Sequence, residues 1–414
     1  MPDTRLKIAV VAQDFHRSGG SEGRTGQLVD RLVSLGHQVH LIGARIRDTW
    51  ESRIVLHRLA TPKHPHWAEV LLFCRRAGAL VRGGGFDIVH NQIRPFVPGL
   101  LTVGGGCHRF YLLDVLPRER GPFLAWWKRQ APLHRLLLAL ERRGLHPARC
   151  PLVLTNSALA REGILKYYQY PADRVVVAHN GVDAERFRPA EKAADREAVR
   201  RRLGAGPEDT LLLFVGSGFA RKGLGSLLRA SARLKGEGGR TILAVVGGGA
   251  AESWRRRAER LGVADRVCFV GAVPDPEAYY RAADIFALPT HFDPFANATL
   301  EAMASGLPVV TTRLNGVSEI LQPGVDGFVI DGPEDLESLM EALRALADPE
   351  RRRAMGEAAR RTALHFPWEA PLQATVQAYN RALLERGTTG GRGAGGPGSN
   401  GVGGMQGGVR ASTG

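Results

Sequence analysis

The chain of 414 residues carries 56 lysines and arginines against 41 aspartates and glutamates, a formal net charge of +15. This length is sufficient for two domains with their own cores, and the positive surplus indicates acidic partners. No nucleic-acid-binding module is recognisable, so we expect an anionic lipid or an anionic acceptor rather than nucleic acid. The four cysteines form no CxxC pair, and the sequence contains neither a signal-peptide core nor a stretch of membrane-spanning length, which predicts a cytoplasmic protein.

Strands and helices alternate along most of the chain. In the first half we predict a helix over 23–35 and strands over 7–12, 38–42, 86–90, 152–156 and 175–179. After a linker at 181–189, we predict strands over 211–215, 242–246, 267–270, 285–288 and 309–312. This pattern is typical of parallel sheets covered by helices on both faces. The predicted fold is therefore α/β, with two Rossmann-like domains, 1–181 and 190–365, facing each other across a cleft. A C-terminal helix over 366–386 is expected to pack back on the first domain.

Two segments depart from this alternation. Residues 117–150 combine Phe123, Trp126, Trp127 and several leucines with eight arginines and lysines, against two glutamates. Such a segment is either an interfacial membrane helix or an amphipathic helix that packs on its own domain. Residues 387–414 are nearly half glycine with few apolar side chains, which predicts disorder.

A glycine turn follows the predicted strand at 211–215. Residues 210–223 read TLLLFVGSGFARKG, so Gly216, Ser217 and Gly218 precede Arg221 and Lys222 at the start of a helix. Glycines allow a ligand to approach the backbone, and two adjacent cations suit a diphosphate. The turn lacks the third glycine of a dinucleotide fingerprint and the Ser or Thr of a Walker A loop. A solvated surface pair is the alternative interpretation of the two cations.

A second motif places one carboxylate before a helix and another inside it. Residues 291–316 contain Asp293 and Glu301, and a strand follows directly. The free N–H groups of a helix N-terminus favour phosphate, while an acid further along the helix can accept hydrogen bonds from sugar hydroxyls. The structural alternative is that Asp293 caps the helix, with Pro294 in its first turn. Together with the glycine turn, the motif favours a nucleotide-sugar site.

These motifs resemble the retaining glycosyltransferases of family 4, which have the GT-B architecture. The glycine turn with Arg221 and Lys222 and the helix with Glu301 are the strongest marks, and the segment 18–21, Ser-Gly-Gly-Ser, is a third. Within the family, the sequence is most similar to glucosyltransferases of the lipopolysaccharide inner core. The resemblance extends over about residues 5–385.

The resemblance implies a role for each matching residue. Arg221 and Lys222 would bind the diphosphate and stabilise its charge as the glycosidic bond breaks. Glu301 would bind the ribose, and Asp293 stands where the family usually has glutamate, which leaves the sugar selectivity open. The other residues expected to bind the donor are Gly19, Gly20, Gly216, Ser217, Asn297, Ala298 and Thr299.

The first domain contributes one candidate catalytic residue, His108. Many family members have a histidine facing the transferred sugar at this point of the chain, although a lone histidine is more often structural. The lipopolysaccharide enzymes commonly have an aspartate where Gly105 stands, and Arg24 occupies the position of another expected acid. Both departures concern the acceptor side of the cleft.

The resemblance further implies retention of anomeric configuration, by front-side attack in which the phosphate takes the acceptor proton. The chain contains no Asp-x-Asp, so we expect no metal, with Arg221 and Lys222 replacing it. The resulting hypothesis is a membrane-peripheral hexosyltransferase that uses a nucleotide-sugar, with UDP-glucose as first candidate. Its acceptor would be a lipopolysaccharide core or another lipid-linked glycan. A nucleotide-sugar epimerase and a non-catalytic membrane-associated scaffold are the alternatives.

Overall fold

The computed structural model describes residues 5–15, 21–47, 50, 52–237 and 239–390, with the backbone alone for 21–24 and 387–390. Its strands, in chain order, are β1 (Lys7–Val11), β2 (Asp14–Phe15), β3 (Gln38–Gly43), β4 (Arg45–Ile46), β5 (Val55–Arg58), β6 (Ile88–Gln92), β7 (Leu100–Val103), β8 (Val153–Thr155), β9 (Val175–Val177), β10 (Thr210–Val215), β11 (Thr241–Val246), β12 (Val267–Gly271), β13 (Ile285–Leu288), β14 (Val309–Thr312) and β15 (Gly327–Ile330).

The helices in the same order are α1 (Ser21–Ser34), α2 (His66–Gly83), α3 (His108–Phe110), α4 (Leu116–Arg120), α5 (Pro122–Gln130), α6 (Pro132–Gly144), α7 (Ala158–Tyr168), α8 (Ala193–Arg202), α9 (Leu224–Leu234), α10 (Ala251–Arg260), α11 (Glu277–Ala282), α12 (Asn297–Ala304), α13 (Leu336–Ala345), α14 (Pro349–Leu364) and α15 (Ala370–Gly390). A π-helical turn, Tyr111–Val115, joins α3 to α4, so that 108–120 form one continuous helical stretch.

The first domain is built on a seven-stranded sheet with the order β5-β3-β1-β6-β7-β8-β9. The strands pair in parallel, and β1 lies at the centre between β3 and β6. Ile8 and Val10 pack into the core on one face of the sheet, while Ala9 and Val11 pack into the core on the other. This alternation buries both faces, as expected for a parallel sheet covered by helices.

The second domain contains a six-stranded parallel sheet with the order β12-β11-β10-β13-β14-β15. The chain starts in the middle, winds outward to β12, and returns to continue on the other side from β13. The direction of winding therefore reverses between β10 and β13, and ligands of such sheets bind in the crevice at this switch point. The predicted α/β fold with two parallel sheets is confirmed.

Most predicted strands are confirmed within two residues at each end, but three strands of the large sheets were not predicted. These are β5, β7 and β15, each of four residues. The strand predicted at 86–90 lies at Ile88–Gln92, because the polar side chains of Asn91 and Gln92 are buried inside the domain.

Helix α15 belongs structurally to the first domain. Its side chains Leu372, Val376 and Tyr379 lie in the same buried cluster as Ile8 and Val10 of β1. The Tyr379 hydroxyl is also hydrogen-bonded to Nδ1 of the buried His90 at 2.7 Å. The helix continues to Gly390, four residues into the segment expected to be disordered, and 391–414 lie outside the described residues.

The basic aromatic segment forms the three helices α4, α5 and α6. Phe123, Trp126 and Trp127 on α5 are 77%, 56% and 62% exposed, whereas Leu137 of α6 is buried in the first domain. One part of the segment therefore packs on its own domain, and another presents large aromatic rings to solvent. Throughout the described part of the chain, no helix has both the length and the apolar character needed to cross a bilayer.

Candidate functional site

The glycine turn after β10 is shaped by close backbone contacts. Gly223 has a φ of +82°, and a Cβ atom at this position would lie 1.8 Å from the carbonyl oxygen of Pro289. The turn therefore presses directly against the chain that leaves β13. The carbonyl of Arg221 reinforces this contact by accepting hydrogen bonds from His291 N at 2.8 Å and Thr290 Oγ1 at 2.9 Å. The two loops at the switch point form one packed unit.

Arg221 and Lys222 both extend towards Asp293. The carboxylate oxygen Oδ2 lies 3.4 Å from Arg221 Nη1 and 3.3 Å from Lys222 Nζ. Arg221 Nη1 also donates to the carbonyl of Phe292 at 2.6 Å. The side chains of Lys222 and Asp293 are each 12% exposed, so these charges interact with little screening by water. Two cations and one carboxylate leave a net charge of +1, which favours a diphosphate.

Helix α12 begins later than the sequence suggested. The alternative in which Asp293 caps it and Pro294 opens it is wrong, because the first helical residue is Asn297 and Ala296 is the cap. The side chain of the buried Asn315 holds the preceding backbone by accepting from Ala296 N at 3.1 Å. Asp293 is thereby free to pair with the two cations instead of the helix.

The N-terminus of α12 offers donors at the switch point. Among the described residues, the backbone N–H groups of Asn297 and Ala298 have no hydrogen-bond partner, whereas Thr299 N donates to Ala296 O at 2.9 Å. Two of the three N–H groups predicted to bind phosphate are thus available to an anion. The Asn297 side chain accepts a hydrogen bond from Asn180 at 2.6 Å, which fixes this end of the helix.

Glu301 lies one turn further along α12. Its Oε2 accepts a hydrogen bond of 2.8 Å from the hydroxyl of the fully buried Tyr280. Burial raises the pKa of Glu301, while the Tyr280 hydrogen bond and the charges of Arg186 and Lys222 oppose that rise. One oxygen is therefore held by the protein, and the carboxylate lies near the cations Arg186 and Lys222.

His108 is half-buried in the first domain and forms a 2.9 Å hydrogen bond between its Nε2 and Nδ1 of His134. Burial, together with the nearby His134 and Arg94, lowers the pKa of His108 to about 4, so the ring is neutral at neutral pH. The backbone N–H of His108 donates to the buried carboxylate of Glu141. His108 is thus a neutral, firmly positioned imidazole.

The segment that carries His108 contacts the second domain next to Asp293. The centroids of the Phe110 and Phe292 rings lie 5.2 Å apart. Burial raises the pKa of Tyr111, and the positive charge of Arg221 in the second domain opposes that rise. Of the remaining predicted donor residues, Ser217 is exposed beside Gly216, while Gly19 and Gly20 lie outside the described residues.

A second contact between the domains is formed by Glu319. Its carboxylate accepts hydrogen bonds from His179 Nε2 at 2.6 Å and from Ala158 N, the first N–H of α7, at 2.8 Å. A carboxylate at a helix N-terminus is favoured by the free N–H groups and by the helix dipole. Glu319 is the last residue of the short helical turn that follows Asn315. The contact therefore connects the first domain to Asn315, which holds the backbone before α12.

Sequence reasoning did not identify the residues that support the site, namely Asn180, Tyr280, Asn315, Glu319, His134 and Glu141. The two asparagines carried a signal, because each directly precedes a glycine. The others are ordinary helix or loop residues whose partners are distant in the chain, so their role depends on the fold.

Comparison with known proteins identifies two matching family models. Residues 18–186 match the model described as Glycosyltransferase Family 4, and 195–362 match the model described as Glycosyl transferases group 1. A D-inositol 3-phosphate glycosyltransferase of Thermobispora bispora is 35% identical and is aligned over 88% of this chain and 90% of its own. Another protein with that name, from Thermobifida fusca, is 36% identical over 74% of this chain and 72% of its own.

Among solved structures, the crystal structure of WaaG, a glycosyltransferase involved in lipopolysaccharide biosynthesis, has a TM-score of 0.75. It is 24% identical and covers 89% of this chain and 98% of its own, a likeness that shows the shared GT-B fold. The curated relatives are not named for lipopolysaccharide-core acceptors, so that expected specificity receives no support from them. The chain belongs to the family 4 glycosyltransferases of group 1, which are GT-B enzymes that take a sugar from a nucleotide-sugar donor.

Proposed function

We propose that this protein transfers a hexose, with glucose as first candidate, from a nucleoside diphosphate sugar to an acceptor held by the first domain. The observation that carries the proposal is the position of Arg221 and Lys222 around Asp293, beside the available N–H groups of α12. These groups would hold the diphosphate and stabilise the charge that it gains as the sugar leaves. Glu301 would accept from the ribose hydroxyls, and no metal would be required.

We further propose that the transfer retains the anomeric configuration by front-side attack. A double displacement needs a carboxylate nucleophile beside the sugar. The buried acid next to His108, Glu141, already accepts from the N–H groups of His108 and Arg109 and from the Tyr168 hydroxyl. A carboxylate held by three donors is a poor nucleophile, which supports a route in which the leaving phosphate takes the acceptor proton.

For the acceptor, a phosphorylated polyol is the first candidate. The relatives that match over most of their length are named D-inositol 3-phosphate glycosyltransferases, and an acceptor of this kind fits the net charge of +15. A lipopolysaccharide core or another lipid-linked glycan is the second candidate. It is favoured by one observation, the exposed aromatic rings of α5.

If the acceptor is lipid-linked, α5 would hold the enzyme on an anionic membrane surface. Phe123, Trp126 and Trp127 would enter the interface while the surrounding arginines contact lipid phosphates. Replacing Trp126 and Trp127 with alanine is expected to reduce sedimentation with anionic vesicles by about tenfold or more. Trp67→Ala provides a matched control, since Trp67 is 43% exposed on a different helix. Equal sedimentation of all three proteins would remove the membrane contact from the proposal.

The deciding experiment measures release of nucleoside diphosphate from UDP-, GDP- and ADP-sugars, with inositol phosphate, with a lipopolysaccharide core or with neither. Release from one donor that one acceptor accelerates would establish the reaction and name both substrates. Conversion of the donor sugar without any acceptor would replace the proposal with an epimerase. Failure to bind every donor would replace it with a non-catalytic scaffold.

A further inference from the structure

A cavity of about 310 Å³ lies in the first domain among the π-helical turn, α5, α6 and the end of α7. It is distinct from the donor site, which lies in the second domain. Its wall combines positive charge with aliphatic surface and one phenol, from the residues Arg109, Arg129, Arg142, Leu112, Leu138 and Tyr168. Guanidinium groups match the oxygens of a phosphate, and leucines suit carbon.

The positive charge of this cavity is not neutralised by the protein. Among the described residues, the side chains of Arg129 and Arg142 have neither a hydrogen bond nor an ion pair, and the Arg109 guanidinium stacks on the Tyr167 ring at 5.3 Å. Some arginines elsewhere are paired, as where Asp284 binds two of them at 2.5 and 2.8 Å. Three like charges around one cavity repel each other, so an anion between them would be stabilising.

The acid next to Arg142 in the chain, Glu141, does not pair with these cations. Glu141 precedes Arg142 on α6, but it is buried and accepts from the Tyr168 hydroxyl at 2.6 Å and from Arg109 N at 3.1 Å. The same carboxylate accepts from His108 N. Two residues of the cavity wall, Arg109 and Tyr168, therefore share a hydrogen-bond network with the candidate catalytic histidine.

We propose that this cavity is a second anion site, which binds a phosphate monoester or diester whose remaining part contacts the leucines. The arginines would bind the phosphate oxygens, while Leu112 and Leu138 would cover the attached carbon skeleton. The phosphate has two sources, a soluble polyol phosphate or the headgroup of a phospholipid beside the exposed rings of α5. The lipid source rests on the membrane contact proposed above, whereas the anion site itself does not depend on it.

The test is calorimetric titration of inorganic phosphate into the full-length protein saturated with UDP, so that phosphate cannot bind at the donor diphosphate site. Wild type is expected to bind phosphate saturably, and Arg129→Ala with Arg142→Ala to bind it at least tenfold more weakly. The matched control is Lys128→Ala with Arg143→Ala. Lys128 precedes Arg129 in the chain and Arg143 follows Arg142, but neither lines the cavity. An absent phosphate site, or equal binding in the two double variants, would overturn the proposal.

Two further arms identify the source of the phosphate. Competition of inositol phosphate with inorganic phosphate, dependent on Arg129 and Arg142, would assign the site to a soluble ligand. Binding to phosphatidylcholine vesicles only when they contain phosphatidylglycerol, with the same dependence, would assign it to a lipid headgroup. If neither ligand depends on these arginines, the proposal is wrong. The affinity for UDP, measured beforehand, reports on the donor site separately.

Discussion

Removing Arg221 and Lys222 together tests the mechanism most directly. Both cations lie within 3.4 Å of Asp293, and their replacement by alanine changes the local net charge from +1 to −1. The variant would then repel the diphosphate that the wild-type site attracts. The backbone N–H groups at the start of α12 would be the remaining hydrogen-bond donors for the diphosphate, and they cannot supply a full positive charge.

The expected loss is large and belongs to the chemical step. One positioned donor at a developing negative charge contributes about 10²–10³ in kcat, so two cations acting partly together imply about 10⁴, or roughly 5.5 kcal/mol of barrier. The unpaired Asp293, with its side chain 12% exposed, would also lower the free energy of unfolding by about 1–3 kcal/mol. Adding Asp293→Asn removes that penalty without restoring the cations.

The assay is acceptor-dependent release of nucleoside diphosphate under single-turnover conditions, with thermal unfolding measured in parallel. The matched control is Arg233→Ala with Lys235→Ala, two cations separated by one residue whose partners Glu337 and Asp265 are exposed. We expect full turnover in the control and a similar loss in the double and triple variants. Retention of more than about a tenth of turnover in a folded triple variant would refute the assigned role.

Three further predictions follow from single contacts. Gly223→Ala should lower the free energy of unfolding, measured by urea titration, by about 2–4 kcal/mol. Gly218→Ala should lower it by only about 1–2 kcal/mol, because a Cβ at Gly218 would have no atom within 4 Å. Equal losses in the two variants would contradict the close contact between Gly223 and Pro289. Burial lowers the pKa of His90 to about 3, below the value of 6.5 in the unfolded chain. The contribution of the neutral His90 to the free energy of unfolding should therefore be complete above about pH 6.5. Below that pH it should fall by up to about 1.4 kcal/mol per pH unit towards pH 3. In urea titrations at several pH values, His90→Asn should reduce the pH dependence of the free energy of unfolding. An unchanged pH dependence would contradict this role of His90. Glu319→Gln should weaken the contact between the domains and accelerate trypsin cleavage at the linker several-fold; unaltered cleavage would show that this contact is not limiting.

The main features of the candidate donor site are visible in the sequence because they are local. A buried strand followed by glycines and two cations predicted the turn at Gly216, and the helix that carries Glu301 was predicted from its start and stop residues, although its start was placed too early. Both elements end or begin at the same edge of a parallel sheet, so their proximity followed from the fold class. The roles of these residues towards a donor, the absence of a metal, the hexose and the cytoplasmic location stay predictions.

The arrangement of Asp293 was not predictable, because it depends on residues distant in the chain. An aspartate before a proline is a common helix start. Here Asp293 N donates to Leu314 O at 2.9 Å, and Asn315 holds the backbone at Ala296, so three residues stay outside the helix. The end of strand β6 was not predictable for the same reason. The side chain of Asn91 is buried because it donates hydrogen bonds to the carbonyls of Val97 and Leu100, and the polarity of the segment does not predict these contacts.

Two Asn-Gly pairs explain how the donor site and the contact between the domains are joined. Asn180 donates to the Asn297 side chain at the start of α12, and a Cβ at Gly181 would lie 2.1 Å from Pro367 O in the segment leading to α15. Asn315 holds the other side of the same helix start, and a Cβ on the glycine after it would lie 1.7 Å from Pro294 O. In both pairs the amide holds the start of α12 by a hydrogen bond, while the glycine allows the close approach of another chain segment.

The first pair directly follows His179, and the glycine of the second pair opens the turn that ends at Glu319. The hydrogen bond between His179 and Glu319 therefore connects the two pairs. A diphosphate that binds the N–H groups of Asn297 and Ala298 therefore acts on a helix end held from both domains. One contact between the domains and the start of α12 are thus held by hydrogen bonds from neighbouring residues of the chain.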